Sequence, residues 1–180
     1  VEACPYKKSL YRPTTRVSEK CIACYPRVEG KDPETGGQRM ETRCMAACIG
    51  QVRMQGLVKK TKEGDWAEER QHPLYYLVKV VKVAVPLYPQ FGTQPNGYYI
   101  PPRWVPRDYL HQMFGPQVDG AIERYRALSK DPTAAGLLCL IGSTDRIMHK
   151  FRVDKNTAVG FDEKGGELVC NGSISELEKN

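Results

Sequence analysis

Two closely spaced pairs of cysteines limit what this chain can fold into more than any other feature. Cys21 and Cys24 are separated by two residues, and Cys44 and Cys48 by three. A tight turn with two thiols directs both sulfurs to one point, and a second close pair can complete a tetrahedral ligand set. The spacing therefore predicts metal ligation by cysteine and not packing of cysteine in a core.

A fifth cysteine, Cys4, is followed directly by Pro5. Its presence helps to decide whether the cysteines form disulfides, bind zinc or bind iron–sulfur clusters. Disulfides are least favoured, because Cys-x-x-Cys pairs close strained loops and five cysteines leave one unpaired. A zinc ribbon, a small interaction module with structural Cys4-type zinc, uses the two pairs but gives Cys4 no role. In bacterial ferredoxins the cysteine before proline ligates the other cluster of a pair. Iron–sulfur clusters are therefore favoured, with the zinc ribbon as the alternative.

The ferredoxin rule distributes the five thiols over several clusters. Cys21, Cys24 and Cys44 are predicted to hold three corners of one 4Fe-4S cluster. Cys48 is predicted to reach a second cluster, and Cys4 a third. Each cluster then needs thiolates from elsewhere, so the 180 residues are expected to be part of a longer subunit.

Three runs of sequence resemble a known signature. Residues 4–8 read CPYKK, residues 18–29 read SEKCIACYPRVE, and residues 44–53 read CMAACIGQVR. Together they resemble the iron–sulfur (beta) subunits of the nitrate reductase group within the DMSO reductase family of molybdoenzymes. This group includes nitrite oxidoreductase, the selenate, chlorate and perchlorate reductases, ethylbenzene dehydrogenase and dimethyl sulfide dehydrogenase. The resemblance continues through residues 72–107 and is expected to extend to about residue 169.

The resemblance implies a full-length subunit with three 4Fe-4S clusters and one 3Fe-4S cluster. It implies that Cys21, Cys24 and Cys44 bind one four-iron cluster. Cys48 looks like the last ligand of the cluster nearest the molybdenum subunit, and Cys4 like the last ligand of the third four-iron cluster. The implied role is non-catalytic electron transfer within an oxidoreductase complex.

The same resemblance implies the partners and the compartment. Electrons would pass between a molybdopterin-containing catalytic alpha subunit and a haem b or c type gamma subunit or quinone-linked membrane subunit. The long gap between the cysteine pairs resembles nitrite-oxidising, selenate-reducing and ethylbenzene-oxidising members. That branch implies a periplasmic location, with export on the catalytic partner, and the cytoplasmic face of the membrane is the alternative.

Composition predicts a loop-rich α+β chain, because 13 prolines and 16 glycines interrupt regular structure. We expect the C-terminal part of a ferredoxin-like cluster-binding domain at residues 1–57. A mainly helical and extended covering and partner-docking region follows at residues 58–180. The net charge of +6 is attributed to balancing anionic clusters and not to nucleic-acid binding, since no basic and aromatic platform is present. No apolar stretch is long enough to span a membrane.

The element pattern gives further expectations. Residues 29–42 are predicted to form a surface loop, residues 51–57 a short strand, and residues 73–85 a helix, with a strand as the alternative. Residues 86–106 are predicted to be a rigid extended arm that packs on a partner or, alternatively, covers its own cluster domain. Helices are expected to begin at Pro106, Pro116 and Asp131, and residues 147–153 and 166–172 to form a terminal hairpin.

The remaining reactive residues do not form a catalytic constellation. Cys139 lies on an apolar helix face and is predicted to be a core residue, and Cys170 is predicted to be a free thiol. His72, His111 and His149 are scattered and are predicted to be structural. A self-contained ferredoxin-like enzyme would need a pocket of convergent polar groups, and the sequence offers no motif for one.

Overall fold

The computed structural model describes residues 1–155 and 157–171, which form short helices, short strands and connecting loops. The helices are α1 (Tyr25–Val28), α2 (Arg43–Ala46), α3 (Pro73–Tyr75), α4 (Arg107–Phe114), α5 (Gln117–Arg126) and α6 (Pro132–Cys139). The strands are β1 (Ser9–Arg12), β2 (Val17–Lys20), β3 (Val85–Pro86), β4 (Tyr98–Tyr99), β5 (Lys150–Asp154), β6 (Thr157–Phe161) and β7 (Glu167–Asn171). In these residues β1 pairs with β2, β3 with β4, and β6 lies between β5 and β7, always antiparallel.

The cysteine-bearing segment, residues 1–57, has almost no hydrophobic core of its own. Its buried residues are Val28, Glu41 and Thr42, and two of these three are polar. Large apolar side chains such as Ile22 and Ile49 are exposed. Hydrophobic burial within the segment therefore contributes little to its conformation, and polar contacts must supply the rest.

The hydrophobic core is built from residue 77 onward and consists of two clusters. The first cluster brings the segment after α3 against α6 and the β5–β6–β7 sheet, and the second brings β3 against α4 and α5. Buried members of the first are Leu77, Val83, Ala84, Leu128, Ala134, Leu137, Leu140, Met148, Phe151 and Ala158. Those of the second are Val85, Leu110, Phe114, Val118, Ala121 and Ile122. Both clusters lie outside the cysteine-bearing segment.

The three predicted helices of the C-terminal half are confirmed. Helices α4 and α5 begin directly after Pro106 and Pro116, where a proline does not remove a helical hydrogen bond. Asp131 caps α6, because its carboxylate accepts hydrogen bonds from the backbone N–H groups of Thr133 (3.0 Å) and Ala134 (3.2 Å). No helix within the described ranges is both long and apolar enough to cross a membrane.

The helix predicted for residues 73–85 is shorter than expected. Helix α3 continues only as a π-type turn over Tyr76–Val80, in which the N–H of Val81 donates to the carbonyl of Tyr76. Lys82 then adopts a positive φ of 58°, which ends the helix. The chain is rich in β-branched residues here, which lowers helix propensity, and Val85–Pro86 becomes strand β3.

Two strand predictions are wrong. Residues 51–57 form no strand, since this stretch makes no β-pairing with any other part of the described chain. Residues 147–153 and 166–172 do contribute strands β5 and β7, but the two strands do not pair with each other. Strand β6, rich in small and β-branched residues, separates them and makes a three-stranded meander. Residue 172 lies outside the described residues.

The predicted arm, residues 86–106, is largely irregular, as its prolines require. Part of it covers the chain's own cysteine-bearing segment: the hydroxyl of Tyr6 donates to the carbonyl of Leu87 at 3.1 Å, and the rings of Tyr6 and Tyr88 lie 6.0 Å apart. Trp104, near the end of the arm, is 84% exposed. The first half of the arm thus acts as a cover, and docking of its second half on a partner stays a prediction.

Two substitutions in α6 should differ in their effect on stability, because Leu137 lies inside the hydrophobic core and Cys139 at its edge. Leu137 is completely buried, so Leu137→Ala should cost about 2–5 kcal/mol of unfolding free energy through the cavity that it leaves. Cys139 packs at the edge of the same cluster, so Cys139→Ala should cost only about 1 kcal/mol. Denaturant unfolding measures both values. A loss for Cys139→Ala as large as that for Leu137→Ala would contradict the placement of Cys139.

Stability should fall when the pH drops below the usual histidine pKa of 6.5. Burial lowers the pKa of His72, whose Nε2 lies 3.2 Å from the carbonyl oxygen of Leu57, and burial also lowers the pKa of His149. Both imidazoles are therefore more easily protonated in the unfolded chain, and stability is lost as the pH falls toward the lower folded-state pKa. Urea unfolding at pH 7.5, 6.5 and 5.5 measures this slope, and His72→Gln should reduce it. An unchanged slope in His72→Gln would refute the assignment.

Candidate metal centre

The Cys4 turn and the Cys21–Cys24 loop flank the β1–β2 hairpin on the side of its open end. Ser9 pairs with Lys20 at the open end of the hairpin, so the chain leaves β2 beside the point where it entered β1. Cys4 lies just before the first strand and Cys21 directly follows the second. Cys21 therefore follows the open end of the hairpin directly, and the Cys4 turn precedes the same end by a few residues.

The Cys21–Cys24 loop is shaped by two consecutive residues of left-handed backbone. Ala23 has φ 54° and Cys24 has φ 48°, and the N–H of Ala23 donates to the Cys21 sulfur at 3.3 Å. Successive N–H groups in such a turn make a concave site that favours negative charge. The loop thus directs a backbone N–H at the sulfur of Cys21, and Cys24 leads directly into α1.

Cys4 and Cys48 lie in turns of the same geometry. In each turn the N–H of the third residue after the cysteine donates to the cysteine carbonyl, at 3.1 Å from Lys7 and at 3.0 Å from Gln51. That third residue has positive φ in both turns, 50° at Lys7 and 48° at Gln51. The backbone therefore wraps around the side chain of the cysteine in the same way at two distant points in the sequence.

The shared turn lowers the pKa of both thiols. The largest cause at Cys4 is the backbone N–H of Lys8, which lies 3.4 Å from the sulfur, and at Cys48 it is the backbone N–H of Val52. The charge of Arg53 lowers the pKa of Cys48 further. Cysteines activated in this way are suited to bind metal as thiolates, whereas cysteines buried in apolar surroundings are inert.

Cys44 and Cys48 are held at the two ends of helix α2. Cys44 is the second residue of α2, and Cys48 follows the helix and lines a cavity of about 360 Å³ together with Glu41, Gln51 and Arg53. The Cys44 sulfur lies 3.3 Å from the hydroxyl oxygen of the buried Thr42. The second pair is thus fixed by its own short helix and by side chains that precede and follow it.

A polar network joins the two cysteine pairs. Arg27 of α1 donates from Nε to the backbone carbonyl of Glu41 at 2.8 Å, and its Nη2 lies 3.7 Å from Asp145. The backbone N–H of Glu41 donates in turn to the carbonyl of Asp145 at 2.7 Å. Arg27 therefore connects the helix after Cys24 to the segment before Cys44 and to the C-terminal half.

The buried carboxylate of Glu41 extends this network across the second pair. Its Oε1 accepts a hydrogen bond from the backbone N–H of Gln55 at 3.1 Å, and the side chain of Gln55 accepts one from the N–H of Thr42 at 2.9 Å. Burial raises the pKa of Glu41, although the N–H of Gln55 opposes this shift. The residues on either side of Cys44 and Cys48 are thus tied together.

The backbone at Gly142 lies close to the turn that follows Cys48. Gly142 has φ 72°, and a Cβ added there would lie 2.1 Å from the carbonyl oxygen of Gln51. Only glycine leaves room for the Cys48 turn to rest against the loop after α6. The loop of residues 142–145 therefore contacts both the Cys48 turn and the polar network.

The donor set fits an iron–sulfur centre in its chemistry, since it consists of thiols with backbone N–H groups directed at several of the sulfurs. Among residues 1–155 and 157–171, however, no three His, Cys, Asp or Glu side chains are grouped so that they could hold one metal ion. The structure thus does not assemble Cys21, Cys24 and Cys44 into a ligand set. Their shared cluster stays a prediction.

Sequence reasoning missed the polar residues that organise the site. Residues 29–42 were predicted to be a surface loop, but Glu41 and Thr42 at its end are buried. The available signal was an Arg close after the first cysteine pair and an Asp in the distant loop after α6. Arg27 also donates to the backbone carbonyl of Glu41, and the carbonyl of Asp145 accepts from the backbone N–H of Glu41. Such backbone contacts leave no side-chain pattern in the sequence.

The other predicted residues lie apart from the cysteine loops. Cys139 packs against the first hydrophobic cluster, which confirms its core position, and Cys170 is an exposed residue of β7. His111 forms an ion pair of 2.7 Å with Asp119 when it is protonated. His72 and His149 are partly or fully buried, as structural residues are.

Known beta subunits match most of this chain. The respiratory nitrate reductase subunit beta of Haloferax mediterranei is 37% identical over 162 residues, which cover 80% of this chain and 43% of the relative. The dimethylsulfide dehydrogenase subunit beta of Rhodovulum sulfidophilum is 33% identical over 68% of this chain and 37% of its own length. The selenate reductase subunit beta of Thauera selenatis is 34% identical over the same shares. No family model matches the chain.

These matches confirm the resemblance seen in the cysteine motifs. The chain is a relative of the beta subunits of nitrate, perchlorate, chlorate and selenate reductases and of dimethylsulfide dehydrogenase. It spans less than half the length of these relatives, 43% of the first and 37% of the second.

Removal of the Arg27 guanidinium should destabilise the cysteine-bearing segment. Arg27→Ala leaves the carbonyl of Glu41 without its partner, so a loss of about 1–3 kcal/mol of unfolding free energy is expected. Arg70→Ala is the matched control, since Arg70 is exposed and forms a surface ion pair with Glu68, a contact worth about 0–1 kcal/mol. Denaturant unfolding compares the two, and equal losses would show that the network contributes nothing.

Proposed function

We propose that this chain is part of an electron-transfer subunit that carries one electron at a time through iron–sulfur clusters. The observation that carries the proposal is the set of turns at Cys4, Cys21 and Cys48, in which backbone N–H groups surround the sulfur. Relatives named as beta subunits of oxidoreductases support it. The clusters supply the redox chemistry when they are bound, and the chain supplies ligands and their electrostatic setting.

We assign the ligands as the ferredoxin rule predicts. Cys21, Cys24 and Cys44 hold three corners of one 4Fe-4S cluster, Cys48 completes a second and Cys4 completes a third. The similar turns at Cys4 and Cys48 support this division, because both cysteines are assigned the same role as last ligand of a cluster. Further thiolates complete each set, for a total of three 4Fe-4S clusters and one 3Fe-4S cluster in the full-length subunit.

The residues around the sulfurs set how readily each cluster accepts an electron. N–H groups that point at the sulfur stabilise the reduced and more negative state, and so does nearby positive charge. The charge of Arg53 acts on Cys48 in this way, and the backbone N–H of Lys8 acts on Cys4. The chain thus raises the reduction potentials of its clusters without contacting any substrate.

The complex that fits this role contains a molybdopterin catalytic subunit and a haem or quinone-linked partner. We propose that the subunit is most like the beta subunits of nitrite oxidoreductase and nitrate reductase. The length of the segment between Cys24 and Cys44 favours the nitrite-oxidising, selenate-reducing and ethylbenzene-oxidising members of the group. Export to the periplasm with the catalytic partner fits that branch. The exposed Trp104 and the outer part of the arm provide an aromatic surface for docking on the catalytic subunit.

Iron analysis separates this proposal from the zinc-ribbon alternative. The spacing of the two close pairs suits zinc, but a zinc ribbon would leave Cys4 without a function. The purified full-length subunit should contain iron and acid-labile sulfide in nearly equal amounts, with slightly less iron because a 3Fe-4S cluster has one iron fewer than sulfide. Stoichiometric zinc with no sulfide would establish the alternative.

Replacement of Cys44 in the complete complex should remove or convert one four-iron cluster. Electron flow between the partner subunits should stop, while the catalytic subunit still reacts with its substrate when an artificial electron carrier replaces the relay. Cys139→Ala is the control and should keep every cluster signal. Electron paramagnetic resonance of the reduced complex decides between them, and Cys44→Ala with a full set of signals would overturn the ligand assignment.

A further inference from the structure

Thr42 occupies the N-cap of helix α2 but does not cap the helix with its side chain. A threonine at this position normally accepts a hydrogen bond from a backbone N–H of the first turn. Here the side chain is buried, and its hydroxyl oxygen lies 3.3 Å from the sulfur of Cys44, the second residue of the helix. The hydroxyl is thus directed at the sulfur and not at the helix.

The chemistry of a ligand thiolate fixes the direction of this hydrogen bond. A metal-bound thiolate has no proton and can only accept, so the hydroxyl of Thr42 must donate. We propose that Thr42 is a positioning and tuning residue: its O–H donates to the Cys44 sulfur and raises the reduction potential of the cluster that Cys44 binds. The proposal rests on the proposed function, in which Cys44 is a ligand.

The surroundings of Thr42 hold the hydroxyl in place. Its backbone N–H donates to the side chain of Gln55 at 2.9 Å, and its carbonyl accepts from Met45 and Ala46 at 2.9 and 3.1 Å. The residue is 6% exposed, so water competes little for the hydroxyl. A β-branched side chain on a backbone fixed at both ends has few rotamers available, and the contact with sulfur is therefore maintained.

The effect on the potential follows from the charge of the two redox states. The reduced cluster carries one more negative charge, so its sulfur is the better acceptor, and the hydrogen bond stabilises the reduced state more. Loss of the hydroxyl should therefore lower the midpoint potential. Removal of a nearby negative charge would instead raise the midpoint potential.

The test is a redox titration of the full complex, monitored by electron paramagnetic resonance. Thr42→Val removes the hydroxyl and keeps the shape, and it should change the reduced-to-oxidised ratio at fixed potential about tenfold, a fall of about 59 mV for one electron. Thr42→Ser restores the hydroxyl and should restore most of the potential. Thr35→Val is the matched control, because the Thr35 hydroxyl donates to the Asp32 carbonyl at 2.8 Å, and it should leave the potential unchanged.

A shift in Thr42→Val no larger than in Thr35→Val, or a shift that Thr42→Ser does not reverse, overturns the proposal. If Thr42→Val fails to keep the cluster, electron–nuclear double resonance of the native complex after exchange into D2O provides the second measurement. Backbone N–H groups at the sulfurs, such as that of Ala23 at Cys21, contribute exchangeable deuterons of their own, so the native spectrum is compared with that of Thr42→Ala. A coupling that is present in the native complex and missing in Thr42→Ala supports the proposal, and identical couplings overturn it. The ligand assignment fails separately, when Cys44→Ala leaves every cluster in place.

Discussion

The hydrogen bond from Arg27 to the carbonyl of Glu41 is the interaction on which the arrangement of the cysteines depends. Residues 1–57 bury one apolar side chain, Val28, so hydrophobic packing cannot fix the two cysteine pairs relative to each other. The guanidinium is mostly buried and has a planar set of donors, which suits it to hold a carbonyl and a carboxylate at once. Through Asp145 this contact also ties the pairs to the part of the chain that has a core.

A segment fixed by polar contacts differs from one fixed by packing in how it responds to change. Hydrogen bonds require defined geometry, and a buried polar group without its partner costs more than the bond itself contributes. Loss of one hydrogen bond among Glu41, Thr42 and Gln55 should therefore destabilise the whole network. The close contact of Gly142 with Gln51 adds a steric constraint of the same kind, because no larger residue fits there.

The sequence predicted the family better than it predicted the structure. Cysteine spacing identified the ligand candidates and the family, because thiol chemistry limits which spacings work. Prolines and an Asp-Pro pair located α4, α5 and α6, since capping is a local property. The early end of the helix after Pro73 depends on a positive φ at Lys82, and the central position of β6 depends on long-range pairing. Neither leaves a local signal, and the backbone partners of Arg27 leave none either.

The β1–β2 hairpin has a geometric consequence for how the chain can vary. Because its strands are antiparallel and Ser9 pairs with Lys20 at the open end, the segments that carry Cys4 and Cys21 leave from the same end of the hairpin, whatever the length of its strands. Two residues added to each strand would preserve the alternation of faces and leave both loops where they are. This hairpin can therefore be lengthened or shortened without a change in the strand pairing from which the Cys4 and Cys21 segments leave.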